Sequence, residues 1–308
     1  MSDVAVRKLW VDTDPGVDDA YALMLAARPG VELLGLSSVG GNVGLAHTTR
    51  NARALVELLG VDAPVHPGVD RPLLRPAPDA AFVHGADGLG DTGLPEPARP
   101  AADLHGALAL IKAARRHAGE LELVALGPLS NVALALALEP ALAGWLKRVV
   151  VMGGAVAGHG NTTPFAEFNI GYDPEAAAMV FARLPAVELV DWELTLAAAP
   201  NITDCEAWMA SGSRRADWLR RVSRQTRAFL DGIGSTTWAW ADPLAMWAWW
   251  NPAGVTRWQA ARVEVPLDGA VRGATLLDRR VGPFNARVAM AVDVPAFHAE
   301  LAATLLRD

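Results

Sequence analysis

The chain has 308 residues, enough for one large α/β domain or two small ones. With 52% hydrophobic and 20% charged residues its composition is globular and leaves no room for extensive disorder. A net charge of -7 argues against nucleic acid as a partner, because binding phosphates needs a basic face.

Residues 8–12 read as a first strand that runs into Asp12-Thr13-Asp14-Pro15-Gly16-Val17-Asp18-Asp19. Pro15-Gly16 makes a turn there, and the apolar run 21–27 reads as the body of a helix. A second strand is expected over 32–39, a helix over 46–59 and a short strand at 65–66. Residues 67–104 are rich in Pro and Gly and read as extended loop. A helix near 105–117 leads to a strand at 121–126, the turn Gly127-Pro128, and a further helix from Ser130-Asn131. Strands at 148–152 and 187–190 follow, then a largely helical stretch over 204–250. Strands near 260–265 and 286–292 and a last helix near 295–306 complete the pattern. Strand-length apolar runs alternating with helical patterns predict an α/β fold. We expect a single Rossmann-like domain over 1–308, with a mostly parallel central sheet flanked by helices.

The arginines are scattered, apart from Arg214, Arg215, Arg220, Arg221, Arg224 and Arg227. That spacing suits a solvated helix surface or a subunit contact better than a nucleic-acid groove. The single cysteine, Cys205, excludes an intramolecular disulfide and suits a reducing compartment. The first residues show no basic start followed by an apolar core, and no apolar run reaches membrane-spanning length. A soluble, cytoplasmic protein is the expectation.

The chemistry concentrates at Asp12, Asp14, Asp18 and Asp19, at a strand end, across a turn and in the first turn of a helix. Like charges so close together repel unless something positive joins them. A helix N-terminus supplies part of that charge, and a divalent cation with oxygen ligands is the fuller answer. Other predicted strands end in Gly40-Gly41-Asn42, Gly127-Pro128 and Gly153-Gly154. Ligands of open α/β sheets bind outside the carboxyl ends of the strands, so these clusters converge on one site. Three further segments look like site material. One is the glycine-rich stretch 82–91 carrying His84, which could equally be an ordinary surface loop. Another is 161–169, where Asn161, Glu167 and Asn169 supply donors and acceptors suited to sugar hydroxyls. The third is Ala241-Asp242-Pro243, an acid inside the most aromatic part of the chain.

Together these residues resemble the inosine–uridine-type nucleoside hydrolases. The likeness runs from Asp12-Thr13-Asp14-Pro15-Gly16-Val17-Asp18-Asp19-Ala20 through Gly41-Asn42, His84-Gly85 and Gly127-Pro128-Leu129-Ser130-Asn131. It continues through Val151-Met152-Gly153-Gly154, Ala166-Glu167-Phe168-Asn169 and Asp242-Pro243, in the family's order and over essentially the whole chain. The resemblance implies calcium-dependent hydrolysis of the N-glycosidic bond of ribonucleosides. It implies Ca²⁺ held by Asp14, Asp19, Asp242 and the main-chain carbonyl of Leu126, with Asp14 as general base for the attacking water. Asp18, Asn161, Glu167 and Asn169 would hydrogen-bond the ribose, and Asn42 and Met152 would line the pocket. It further implies a homodimer or homotetramer.

The chain departs from the family's pattern on the base side. Many members that cleave pyrimidine nucleosides carry a histidine just before the last metal-binding aspartate, where this chain has Ala241. Trp238 and Trp240 are nearby candidates to stack on the base, with Phe229 a weaker one and His84 a candidate substitute acid. This leans the reading towards purine nucleosides. A phosphohydrolase of the haloacid dehalogenase type competes through Asp12-Thr13-Asp14. It needs a well-placed lysine, however, and the chain has only Lys8, Lys112 and Lys147. A catalytically silent calcium-dependent ribose or nucleoside binder is the other alternative.

Overall fold

In the computed structural model, which describes residues 6–280 and 282–307, the acidic motif ends the strand at the middle of a large sheet. The first half comprises β1 (Arg7–Thr13), α1 (Val17–Ala26), β2 (Val31–Ser38), α2 (Leu45–Leu58), β3 (Val65–Pro67) and α3 (Ala81–His84). Next come α4 (Gly106–Arg116), β4 (Leu121–Ala125), α5 (Ser130–Leu138), α6 (Leu142–Trp145) and β5 (Arg148–Met152). They are followed by α7 (Phe168–Tyr172), α8 (Pro174–Arg183), β6 (Val187–Val190) and α9 (Trp192–Ala197). Four helices come after that: α10 (Ile202–Met209), α11 (Arg214–Val222), α12 (Arg224–Gly232) and α13 (Ala241–Trp250). The chain finishes with β7 (Val255–Glu264), β8 (Leu276–Asp278), β9 (Ala286–Val292) and α14 (Val294–Leu305).

These strands form one nine-stranded sheet in the order β3-β2-β1-β4-β5-β6-β9-β7-β8. Pairing is parallel from β3 to β9 and antiparallel where β7 meets β9 and β8. The chain winds outward one way from β1 through β2 to β3, then the other way from β4. The order therefore reverses between β1 and β4, the crevice where such sheets bind ligands. Asp12 pairs with Ala125 there, so Asp14 and Leu126 leave the sheet side by side.

Apolar side chains cover both faces of the sheet. On one face α1, α2, α13 and α14 pack with residues such as Leu9, Val11, Leu36 and Val150. On the other, α4, α5 and α8 pack with Leu121, Leu123, Val149 and Leu189. Strands buried on both faces read as continuous apolar runs, which is why β4 and β5 are plain in the sequence. Among the described residues, no helix is long and apolar enough to cross a membrane.

The structure corrects several expectations. The loop expected over 67–104 contains α3, which presents His84, and β3 extends into it as far as Pro67. Helices α7, α8 and α9 were not anticipated. They start at the side-chain caps Glu167, Asp173 and Asp191, and their short apolar stretches lack a clear helical period. The stretch 204–250 is largely helical, as expected, but Trp238 and Trp240 do not lie on a helix. Residues 233–240 are non-helical, because Trp238 N–H donates to Pro200 O (2.9 Å) and Ile202 N–H to Thr236 O (3.0 Å). Trp238 and Trp240 therefore precede α13. Strand β7 begins five residues earlier than expected, and β8 was missed because it is only three residues long.

Helix α13 is buried along almost its whole length and carries Asp242 in its first turn. Its far end is tied to the amino-terminal edge of the sheet. Arg148 donates to the carbonyls of Trp249 (2.6 Å) and Ala248 (3.2 Å), and Arg7 donates to Trp250 O (3.2 Å). Cationic groups there match the negative end of the helix dipole. Glu188 pairs with Arg148, and Glu122 pairs with Arg7 while accepting from Trp249 Nε1 (2.8 Å). Replacing Glu122 by Ala leaves the buried Trp249 Nε1–H without its acceptor and half-buried Arg7 without its carboxylate, and we expect a loss of about 2 kcal/mol in unfolding free energy. Urea denaturation measures it.

Candidate active site

Asp14, Asp19 and Asp242 are buried, and Asp18 is half-buried beside them. Asp14 sits just past β1, and its Oδ2 accepts from the main-chain N–H of Asn42 (2.7 Å). Two glycines let it fit. A Cβ on Gly41 would lie 2.1 Å from Asp14 Oδ2, and one on Gly127 would lie 2.4 Å from Oδ1. Asp19 closes the first turn of α1: its Oδ2 accepts from Gly16 N–H (2.9 Å) and Asn42 Nδ2 (3.2 Å), and its Oδ1 from the Thr13 hydroxyl. Asn42 Nδ2 also donates to Asp14 O (3.1 Å), so one amide bridges both acids.

Asp12 is not part of this group. Its Oδ1 accepts from Ser37 and from Asn131 Nδ2 (2.8 Å), which places it against α5, and Oδ2 has no partner. Burial pushes its carboxyl up to about 7.

Burial and mutual repulsion dominate the electrostatics. Burial, then Asp19, hold Asp14 well above the usual carboxylate range. Burial, then Asp18, Asp19 and Asp14, do the same to Asp242. Burial, then Asp18, raises Asp19, and burial lifts Asp18 to about 6. Among the described residues, no lysine or arginine lines the cavity these acids face, which measures about 410 Å³. One oxygen on each of Asp18, Asp19 and Asp242 lies within 4.8 Å of the others, and Asp18 Oδ1 is buried without a partner. An all-oxygen donor set with an orphaned carboxylate oxygen fits a hard divalent cation. The tightest group holds Asp18, whereas Asp14 is turned towards Asn42 and the two glycines.

The expected sugar-side residues gather around the same cavity, each with a local task. Glu167 is the N-cap of α7, accepting from Asn169 (2.9 Å), Ile170 (3.2 Å) and Gly154 (2.8 Å) N–H groups. Asn169 Nδ2 donates to Leu126 O (2.6 Å) and to the carbonyl and sulfur of Met152 (3.3 Å each), aiming the Leu126 carbonyl. Asn161 is exposed at the rim. Its side-chain oxygen is taken by Phe168 N–H (2.8 Å), leaving the Nδ2 donor for a ligand.

The rest of the cavity lining is largely apolar and aromatic. Trp238 and Trp240 stack on each other (4.7 Å, 13°), and Trp240 Nε1–H points at Cys205 Sγ (3.3 Å). Both tryptophans line the cavity but are almost wholly buried. The exposed aromatic is Phe82, 63% accessible, edge-on to the half-buried Phe229 at 5.5 Å. Phe82, Trp192, Leu196 and Ile233 also line the cavity and were missed in the sequence reading. Only Phe82, two residues before His84, carried a signal. His84 Nδ1 accepts from Val17 N–H (3.2 Å), so its ring proton sits on Nε2, and burial pushes its pKa down to about 4.

The raised carboxyl pKa values fix the sign of a pH effect. Without a cation, the folded protein retains protons that the unfolded chain releases above about 3.8. That stability is present at low pH and is lost as pH rises through the folded values, while a cation replaces the protons. The gain in Tm on adding a divalent cation to chelator-treated protein should therefore be larger near pH 8 than near pH 5. Scanning calorimetry at both values measures it.

Comparison with known proteins agrees with this geometry. The model of the inosine-uridine preferring nucleoside hydrolase family matches residues 9–299. A probable uridine nucleosidase of Oryza sativa subsp. japonica is 36% identical over 304 residues, covering 94% of this chain and 93% of that one. A solved plant nucleoside hydrolase superposes with a TM-score of 0.92 at 30% identity, covering 98% of this chain and all of its own. A solved inosine-guanosine nucleoside hydrolase gives a TM-score of 0.91 at 30% identity, covering 99% and 100%. A family match over nearly the whole chain leaves no place for the phosphohydrolase alternative. The chain belongs to the inosine-uridine preferring nucleoside hydrolase family and is an enzyme that hydrolyses the N-glycosidic bond of ribonucleosides.

Proposed function

We propose that this enzyme depends on Ca²⁺, uses Asp14 as its general base, and prefers purine ribonucleosides. The observation that carries the reading is a single cavity lined both by buried acids, one with an orphaned carboxylate oxygen, and by aromatic rings. Asp14, Asp19, Asp242 and the Leu126 carbonyl would hold the ion, with Asp18 closing on it or on a ribose hydroxyl. When bound, calcium acidifies a neighbouring water and anchors vicinal hydroxyls.

The chain's own groups do the rest. Asp14, ionised once a cation balances the acid cluster, takes the proton of the attacking water. Asn161 and Asn169 orient the ribose together with Glu167, and Asn42 and Met152 complete that wall. The carboxylates stabilise the positive charge that grows on the sugar as the base departs. His84 is neutral near pH 7, so in this reading it donates a hydrogen bond from Nε2 to the base and does not deliver a stored proton. The aromatic wall favours a wide purine face, with Phe229 nearer the surface than Trp238 or Trp240. A homodimer or homotetramer working in the cytoplasm, in nucleoside salvage or breakdown, completes the reading. Light scattering on the purified enzyme tests its assembly.

Metal analysis of enzyme purified without chelator should find one calcium per chain. Its absence, with no activity gained on adding calcium, would remove the metal from the reading. Asp14→Asn should lower kcat roughly 10²–10⁴-fold. Inosine should be cleaved at least tenfold faster than 2′-deoxyinosine, since an unpaired buried group costs about 1–3 kcal/mol. In a panel of natural nucleosides, uridine turning over faster than inosine and guanosine would overturn the purine preference.

A further inference from the structure

Between β5 and α7 the chain leaves the sheet as a strap over residues 155–166, whose far end places Asn161 and Thr162 at the cavity rim. The tip holds its own shape, with the N–H groups of Asn161, Thr162 and Thr163 converging on Ala166 O (3.1, 3.1 and 3.3 Å). The outgoing limb makes one turn of its own, Gly158 N–H to Ala155 O (3.3 Å). Three of its other N–H groups go to two acids at the start of α9. Asp191 Oδ2 accepts from Val156 (3.2 Å), while Glu193 accepts from Ala157 through Oε2 (2.7 Å) and from His159 through Oε1 (2.9 Å). His159 Nδ1 also lies 3.3 Å from Glu193 Oε1. Neither acid lines the cavity, although Trp192 and Leu196 of the same short helix do.

We propose that Glu193 is a positioning residue for sugar binding: its carboxylate grips the outgoing limb of the strap and so holds Asn161 at the rim of the cavity. The inference rests on the reading that Asn161 hydrogen-bonds the ribose. The chemistry of the grip is specific to a carboxylate. It offers an acceptor to each N–H, whereas a glutamine of the same shape offers one acceptor and turns an NH₂ donor on the other N–H. Losing that bond leaves the tip folded but the outgoing limb more weakly held on the side facing α9, where Asp191 still accepts from Val156 (3.2 Å). The consequence falls on substrate binding, because the acids and the water they activate are held by β1, α1 and α13.

The test is a double-mutant cycle on the metal-loaded enzyme, with Glu193→Gln, Asn161→Ala and the pair. Glu193→Gln should raise KM for inosine about tenfold with kcat within about twofold of the parent, the pattern of lost uniform binding. Asn161→Ala should raise KM at least as much. The pair should be no worse than Asn161→Ala alone, because Glu193 acts only through Asn161. Hydrogen exchange in Glu193→Gln should quicken in the peptide spanning 155–166 and stay unchanged around Asp14, a readout independent of turnover. If Asn161→Ala leaves KM unchanged, the ribose role of Asn161 fails and the inference falls with it. If Asn161→Ala raises KM and Glu193→Gln does not, that role stands and the positioning of the strap is refuted. Fully additive effects would refute it as well, because they place Glu193 on a separate route.

Discussion

Several carboxylates are buried around the end of β1, and among the described residues no lysine or arginine lines the cavity they face. Left alone, each raises the cost of ionising the others, and the pKa directions record that conflict. Much of the local architecture meets this repulsion. Gly16 N–H at the start of α1 donates to Asp19, Asn42 bridges Asp14 and Asp19, and Gly41 and Gly127 leave Asp14 room to sit where it does. What these groups leave unbalanced is the affinity of the site for a cation.

Charge is sorted along the sheet. The acids that face the cavity lie at its carboxyl edge, while Arg7, Lys147 and Arg148, with their partners Glu122 and Glu188, lie at its amino edge. Helix α13 spans the two. At about 1.5 Å per residue its ten residues cover roughly 15 Å, from Asp242 at the site to the carbonyls held by Arg148 and Arg7. The paired ions at one edge thus fix the axis of the helix that carries an acid to the other. Uniform apolar burial lets α13 pass through the core, a course an amphipathic helix could not take.

Glu167 and Asn169 show how little separates scaffold from site. Both line the cavity, and both are already bonded to backbone: Glu167 as the cap of α7, Asn169 as a donor to the Leu126 carbonyl. Side chains held by such bonds are oriented before any ligand arrives, which lowers the ordering cost of binding. The aromatic part of the lining is built differently. The Trp238–Trp240 stack is locked by Cys205 and by the pairing of 236–238 with 200–202, whereas Phe82 stands out from a one-turn helix. The stacked rings are almost wholly buried, whereas Phe82 is exposed.

How far the sequence alone could go follows from the range of the interactions involved. The acidic turn, its strand and its helix were legible because they are neighbours in the chain and their bonds span three to six residues, as between Gly16, Thr13 and Asp19. The parallel core was legible because strands buried on both faces must be continuously apolar. Asp242 could be drawn into the site only through family likeness, since nothing local ties it to Asp19, more than two hundred residues away. The short helices α7 and α9, the grip of Glu193 on the strap, the break before α13 and the emergence of Phe82 were decided by tertiary structure. So was the convergence of Asp18, and not Asp14, with Asp19 and Asp242. Each depends on which elements the strand order sets side by side, and that order arises from packing the whole sheet at once, beyond the reach of any local window of sequence.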